Sequence, residues 1–592
     1  MTLIRQCVRK GQVMSRKTWL GCVILTICAS TVGPASANEL ADQARKILED
    51  RCGACHGKVN PQSDLNVLDH AYLMEHGYLT AGNLDESELW SRVSTGEADI
   101  VMPPGKPLPA EEVAIIRQWI DSGAEAPSET VLRREFVSIT DNYAAVAADL
   151  RKYPEEDYDR LRYFTITHLH NNATVSDQDL QIYKAALSKL INSLSWEPDI
   201  YLPVEVDPHG TVLRIDLVSI GWDKHGQWQR MLTDYPYGMS YENATEDALR
   251  NDATFVYEAT RSKIPMVRAD WFVAKAGIPP MYHDLLQLPD GPNTAIEIEK
   301  MLNVDVIRDF EMNRLARAGF IKSNVSQHNR LVDRHPAAYG AYWKSYDFGS
   351  SAGSQSLTLN PLGPKYKNNP HERVAFEHDG GELIFNLPNG LQGYLLIDGK
   401  GARIDRGPIN VVFDSKQPLG NNEVINGISC MVCHTHGMQP FQDDIRSGHG
   451  VRGADALKVE RLFLPQDEFD KLVDKDRQRF LTSLDEAIGP FLRGEGDTTP
   501  ITELREPVGV IARQYTENMA FEDVAAELQF EDHGNLRFMF GTPAYRQFGL
   551  GVLVDDKVIS RDLWERLTPF STYHEVAQML GFGIPERVFS SD

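Results

Sequence analysis

Cysteine is scarce in this chain, with seven among 592 residues. Three of the seven lie within the first 28 residues, ahead of a candidate cleavage point. Only Cys52, Cys55, Cys430 and Cys433 lie beyond it. So few cysteines in a long chain exclude a small disulfide-stapled scaffold, in which cysteine is far denser. The four that follow the cleavage point therefore need an explanation of their own.

The chain also lacks a long hydrophobic run. Its best candidate, residues 20–32, is about 13 residues long, whereas a membrane helix needs about 20. This run follows a segment with five Lys or Arg and no acidic residue, and it ends in Ala35-Ser36-Ala37. A basic segment, a short apolar run and an A-x-A site are typical of a secretory signal peptide. We therefore predict that residues 1–37 are a signal peptide, that the protein is periplasmic or secreted in a Gram-negative bacterium, and that cleavage leaves no stable membrane span.

Positive charge is in short supply. The chain has 60 Lys and Arg against 84 Asp and Glu, a net charge of −24, and loss of the basic leader would bring the charge to about −29. A surface this acidic repels phosphate backbones, which argues against binding to nucleic acid. The same charge could simply keep the protein soluble, or it could attract a protein partner through a basic docking surface.

All four cysteines of the predicted mature chain belong to two copies of one motif. Residues 51–58 read RCGACHGK and residues 429–435 read SCMVCHT, so each contains C-x-x-C-H. In an exported protein this motif is typical of covalent c-type haem attachment. Each thiol adds to a haem vinyl group, and the adjacent histidine reaches the iron as proximal ligand. The sequence thus predicts two covalently bound haem c groups, held by Cys52, Cys55 and His56, and by Cys430, Cys433 and His434.

Two other uses of paired cysteines explain the pattern less well. One zinc site built from both pairs would have to close a loop of about 375 residues, and it would leave the adjacent histidines without a role. A redox disulfide needs a βαβ context and gives no reason for a histidine directly after the second cysteine.

The segment around the first motif has three further landmarks. Apolar residues between Leu40 and Leu48 share one face of a helix predicted before the motif. Met102 precedes two prolines, which favour an extended loop. A helix is predicted from about Ala110, with a buried stripe that includes Trp119. A helix, C-x-x-C-H, a Met-Pro loop and a final helix with Trp-Ile together resemble class I cytochrome c.

This resemblance implies an all-α cytochrome c domain over residues 38–127. It also implies that Met102 is the distal ligand of the first haem, opposite His56. A thioether ligand favours ferrous iron and raises the reduction potential, which suits electron transfer. The other candidates for the distal position are His70, Met74 and His76.

Residues 128–420 are predicted to form an α+β domain. Ser176 and Asp179 predict a capped helix, residues 211–218 alternate like a strand, and residues 382–413 are typical of an antiparallel meander. The histidines of this region are scattered. Since no dinucleotide, metalloprotease or nucleophile-elbow motif is visible, no catalytic residue is assigned.

Residues 421–592 are predicted to be a mostly helical haem-binding region around the second motif. No second Met-Pro-Pro loop occurs, so this region is not a copy of the first domain. The distal side of its haem stays open and could lack a protein ligand. His378, just before the meander, is one candidate for it. The others are His436, Met438, Met519, His533 and Met539.

Over most of its length the chain resembles large bacterial dihaem cytochrome c proteins that are exported. The implied fold class is multidomain, with an all-α cytochrome c domain, a large α+β region and a mostly helical C-terminal haem-binding region. The predicted function is electron transfer between redox partners. The alternative is a haem enzyme of the peroxidase or oxygenase type, in which the second haem is the catalytic centre and the first relays electrons. Whether the chain is an enzyme is left open.

Overall fold

The computed structural model describes residues 37–56, 65–97, 100–104, 107–127, 134–321, 328–408, 411–412, 422–494 and 496–589. The predicted signal peptide lies outside the described residues apart from its last position. Across the described ranges, no helix combines the length and the apolar character that crossing a membrane requires.

The N-terminal part is helical and has its own hydrophobic core. Its helices are α1 (Ala37–His56), α2 (His70–Glu75), α3 (Glu88–Ser94) and α4 (Ala110–Asp121). Helix α1 packs against α4. Ala44 and Leu48 of α1 and Ile116 and Trp119 of α4 are almost fully buried in one apolar cluster. The predicted apolar face before the motif and the predicted stripe of the last helix are therefore confirmed.

Residues 139–311 combine helices with a small mixed sheet. Ser176 and Asp179 form the predicted capping box at the start of α7. The sheet has the order β2-β3-β1-β5, with β3 antiparallel and β5 parallel to β1. The helices are α5 (Ile139–Leu150), α6 (Thr167–His170), α7 (Asp177–Ser193), α8 (Gln227–Leu232), α9 (Asp247–Thr260), α10 (Ala269–Ala276), α11 (Met281–Leu285), α12 (Thr294–Met301) and α13 (Val306–Glu311). The strands are β1 (Leu161–Thr165), β2 (Val204–Glu205), β3 (Val212–Asp216), β4 (Met239–Ser240) and β5 (Met266–Arg268).

A six-stranded antiparallel sheet follows, in which each strand pairs with the next along the chain. Its strands are β6 (Ala316–Phe320), β7 (Arg330–Ala337), β8 (Gly340–Asp347), β9 (Gly380–Asn386), β10 (Gln392–Asp398) and β11 (Arg403–Ile404). The meander predicted from residue 382 is confirmed as far as β11. Of its predicted continuation, the described residues 405–408 and 411–412 form no further strand and make only an isolated bridge between Arg406 and Ile425, so this part of the prediction is wrong.

The C-terminal part is largely helical and completes the core of the preceding region. Its helices are α14 (Ile428–Cys433), α15 (Ile445–Gly448), α16 (Ala454–Leu462), α17 (Gln466–Leu492), α18 (Pro507–Tyr515), α19 (Phe521–Glu527), α20 (His533–Phe540), α21 (Pro543–Arg546), α22 (Arg561–Glu565) and α23 (Thr572–Met579), and the short strand β12 (Ile584–Pro585) pairs with β4. Helix α17 packs along α7, and α18 packs against α7, α10 and α14. One buried apolar cluster accordingly extends from Tyr143 to Ala577.

The cytochrome-like part rests on the start of α7. The backbone N–H of Asp177 donates to Glu49 of α1 at 3.4 Å. Gly53, inside the first motif, lies close to Gln178, whose Oε1 would be 3.6 Å from an added Cβ. Arg134 donates to the Asp177 carboxylate at 2.7 Å and thereby holds the same segment. The first C-x-x-C-H is thus packed directly onto the helical body that follows it.

Candidate haem-binding sites

The first motif occupies the last turns of α1. Cys52 is buried, and His56, four residues later, lies on the same face of the helix. The carbonyl of His56 accepts a hydrogen bond from the N–H of Val67 at 2.8 Å, which fixes the chain on its return from the motif. The side chain of Cys55 lies outside the described residues. The described geometry fits a cysteine and a histidine presented to one side of α1.

Met102 lies half-buried in the bend between α3 and α4. Its N–H donates to the carbonyl of Arg92 at 2.9 Å, so the loop is tied to the end of α3. The preceding Val101 is buried. The structure therefore places Met102 in the same small helical unit as His56, and its role as distal ligand stays a prediction.

The three alternatives to Met102 already have other contacts. His70 Nε2 donates to the carbonyl of Ala124 at 2.7 Å. His76 Nδ1 donates to a backbone carbonyl of its own helix at 3.1 Å. Met74 packs against the apolar cluster of this part. Each histidine uses only one ring nitrogen in these bonds, so the choice among Met102 and the alternatives stays a prediction.

The second motif forms α14 and the turn after it. Cys430 is buried and Cys433 is half-buried, and the two are not joined by a disulfide. Burial raises the pKa of the Cys430 thiol well above its usual value, and the negative charge of Glu382 adds to the rise. An environment that disfavours thiolate suits an uncharged thioether better than a zinc ligand. Among the described residues, no group of three or more His, Cys, Asp or Glu is placed to hold a metal ion.

The ring of His434 is held by a hydrogen bond to the backbone. Its Nδ1–H donates to the carbonyl of Gly437 at 3.2 Å. Such a bond fixes the tautomer in which Nε2 carries the lone pair, as is usual for metal-bound histidines. This arrangement fits a proximal haem ligand, and it is a feature that the motif alone does not reveal.

An ion-pair cluster that the sequence does not predict lies beside His434. Glu382 of β9 has Oε2 3.9 Å from His434 Nε2. Arg330 of β7 donates to Glu382 at 3.2 Å and lies 2.9 Å from the carboxylate of Asp347 on β8. The ring of Tyr394 on β10 lies 6.0 Å from the ring of His434. Neighbouring strands of the large sheet thus present charged groups to the second motif. The only signal in the sequence was an acidic residue within the apolar strand GELIFN.

The other distal candidates of the second haem lie in several places. His378 packs edge-to-face with Tyr346 at 5.0 Å. Met519 lines a cavity described below, His533 begins α20, and Met539 is partly buried in the same helix. The candidates that stay beside the motif are His436 and Met438.

Comparison with known proteins bears on the first motif. A family model described as Planctomycete cytochrome C matches residues 52–106, a stretch that begins at the first motif and includes Met102. No curated protein and no solved structure matches the chain. The match supports haem-based electron transfer with covalently bound haem c, and such domains are typically exported. Over residues 52–106 the chain is therefore similar to a cytochrome c, and this part is best described as a cytochrome c domain.

Proposed function

We propose that this chain is an exported dihaem c-type cytochrome that transfers electrons between redox partners. The observation that carries the proposal is the second motif. There, the Nδ1–H of His434 donates to a backbone carbonyl, which places the lone pair of the ring on Nε2, and the buried Cys430 lies one helical turn earlier. The same motif occurs in the cytochrome c stretch, so both copies are assigned the same attachment chemistry.

The haem iron supplies reversible one-electron chemistry in such a protein. The residues of the chain hold and shield it. Cys52 and Cys55 would attach the first haem, with His56 and Met102 as axial ligands. The second would be attached by Cys430 and Cys433, with His434 as proximal ligand.

Packing between the two motifs supports transfer inside the protein. Helix α14 of the second motif packs against α18, α18 packs against α7, and α7 contacts α1 of the first motif. A continuous packed path therefore joins the two sites. The acidic surface is suited to a redox partner with a basic docking face, because complementary charge speeds encounter.

A redox titration tests this function. The full-length protein is expected to take up two electrons per chain in coulometry at an electrode. Met102→Ala is expected to lower the midpoint potential of one haem and leave the other unchanged, because a thioether ligand favours ferrous iron. Met74→Ala is the matched control and is expected to change neither potential. Uptake of one electron per chain would contradict two haems. A midpoint potential lowered by Met74→Ala but not by Met102→Ala would identify Met74 as the distal ligand in place of Met102.

A haem enzyme centred on the second motif is the second candidate. It is favoured by Glu382 and Arg330, since a carboxylate near the second motif can take up or release a proton and Arg330 holds it in position by a hydrogen bond. A simple electron carrier does not need them. This candidate requires an exchangeable position on the second haem.

Carbon monoxide distinguishes the two candidates. If the second haem is catalytic, the ferrous protein is expected to bind one carbon monoxide per chain. Glu382→Gln is then expected to raise the midpoint potential of this haem, because loss of a nearby negative charge destabilises ferric iron. Glu377→Gln, at an exposed glutamate before the same strand, is the matched control. A ferrous spectrum that carbon monoxide leaves unchanged rules the enzyme out.

A further inference from the structure

A partly open cavity is lined by residues of α7, which contacts α1, and of α18, which packs against α14. Its volume is about 60 Å³. On this scale one water needs about 10–15 Å³, so the cavity has room for a molecule of a few non-hydrogen atoms. Its walls come from α6 and the turn before α7 on one side, and from α10, α18 and α19 on the others. The turn before α7 is followed by Asp177, whose N–H donates to Glu49 of α1. On the other side, α18 packs against α14, the helix of the second motif.

His168 and Asp270 form a buried pair in the cavity wall. His168 Nε2 donates to Asp270 Oδ2 at 3.0 Å, and the two residues are 3 % and 4 % exposed. Burial would raise the pKa of Asp270, but His168, Arg268 and Arg561 lower it to about 2, so the carboxylate is ionised.

Two polar atoms of the wall have no protein partner within the described part of the chain. Asp270 Oδ1 and Gln514 Oε1 are buried and accept no hydrogen bond from the part of the chain that the structure describes. Buried polar groups are nearly always satisfied in native proteins. Unpartnered groups that line one cavity therefore indicate a ligand with hydrogen-bond donors.

Several other polar groups of the wall have protein partners. Arg268 donates to Glu527 at 2.6 Å, and Arg561 donates to the same carboxylate. Asn172 donates to Asp523 at 3.0 Å. Neither arginine is thus available to hold an anion. The carboxylates of the wall outnumber its arginine, since Asp270, Glu517, Asp523 and Glu527 face it beside Arg561.

We propose that this cavity is a binding site for a small molecule with a primary ammonium group. Asp270 Oδ1 is its counter-ion, and Gln514 Oε1 is a further acceptor. An ammonium group has three N–H donors and no acceptor, which matches these acceptors. A charge-assisted bond to an ionised, buried carboxylate is among the strongest hydrogen bonds available. Neutral alcohols offer no charge-assisted bond to Asp270 Oδ1, and anions are repelled by the carboxylates of the wall.

Titration calorimetry of the haem-loaded, full-length protein tests the site. Ethylammonium chloride is expected to bind saturably at one site per chain. Potassium chloride and ethylene glycol, as matched salt and neutral probes, are expected to give only heat of dilution. Saturable binding of ethylene glycol in place of ethylammonium would overturn the ammonium assignment. Absence of saturation with every probe, as for a cavity that holds only water, would overturn the site.

Variants link the binding to the named residues. Asp270→Asn is expected to weaken ethylammonium binding about tenfold or more, and Gln514→Leu about threefold, from the strengths of charged and neutral hydrogen bonds. Because Asp270→Asn disturbs a buried pair, Gln514→Leu provides an independent test at a half-buried position. Tyr143→Phe is the control. It removes a buried hydroxyl that bonds to Tyr257 at 3.0 Å, outside the cavity, and should leave the affinity unchanged.

Equal affinity in wild type, Asp270→Asn and Gln514→Leu would contradict the assignment even if ethylammonium binds. The proposal goes beyond electron transfer and does not depend on it. Calorimetry measures ligand binding, whereas haem content and midpoint potentials test the cytochrome function. Failure of the ammonium site and failure of the proposed electron transfer can therefore be told apart.

Discussion

Replacing both Cys430 and Cys433 with alanine is expected to lower the haem content from two to one per chain. Without the thiols no thioether can form, and His434 alone does not retain a haem through purification. Cys52→Ala with Cys55→Ala is expected to leave one haem as well, and removal of all four cysteines to leave none. The effect is large because attachment is covalent and each pair serves one haem.

The pyridine haemochrome absorbance, divided by protein concentration, gives the haem content. Met431→Leu is the matched control, since it changes a residue between the two cysteines, conserves volume and keeps both thiols. This variant is expected to retain two haems. A wild-type content of one haem, unchanged by loss of Cys430 and Cys433, would contradict attachment at the second motif. Zinc bound to the protein instead of a second haem would support a zinc site built from the cysteine pairs.

Features set by local sequence were the ones that sequence analysis predicted well. The capping box of Ser176 and Asp179 depends on residues three apart, and the buried stripe of α4 on helical periodicity. The hairpin from β9 to β10 depends on a Pro-Asn-Gly turn between alternating apolar residues. Each signal lies within one element or two neighbouring ones.

Features set by long-range packing could not be predicted. Glu382 and His434 are 52 positions apart, and His168 and Asp270 are 102 positions apart. In neither pair does the local sequence around one residue predict the other, because the contact depends on how sheets and helices pack together. For the same reason, the histidines of the central region form no pattern in the sequence, although the fold brings His168 next to Asp270. The core shared by α7, α17 and α18 could not be predicted either, because these helices are far apart in the sequence.

Arg317→Leu is expected to be strongly destabilising. Arg317 of β6 and Asp333 of β7 face each other in the register and are fully buried. Two parallel hydrogen bonds of 2.6 Å join them, and Arg317 also donates to the carbonyls of Pro361 and Gly363 at 2.9 Å. Leucine would leave Asp333 as a buried, unpaired carboxylate. Removal of one partner from a buried pair costs about 3–5 kcal/mol.

Urea unfolding followed by circular dichroism measures this loss, and Arg314→Leu is the matched control. Arg314 pairs with Asp309 at 2.6 Å but is 49 % exposed, so its loss is expected to cost at most about 1 kcal/mol. Arg317→Leu combined with Asp333→Leu is expected to recover most of the stability, because no unpaired charge is left. Equal effects of Arg317→Leu and Arg314→Leu would show that the buried pair does not hold β6 to β7. The sheet that presents Glu382 to His434 would then owe its stability to apolar packing alone.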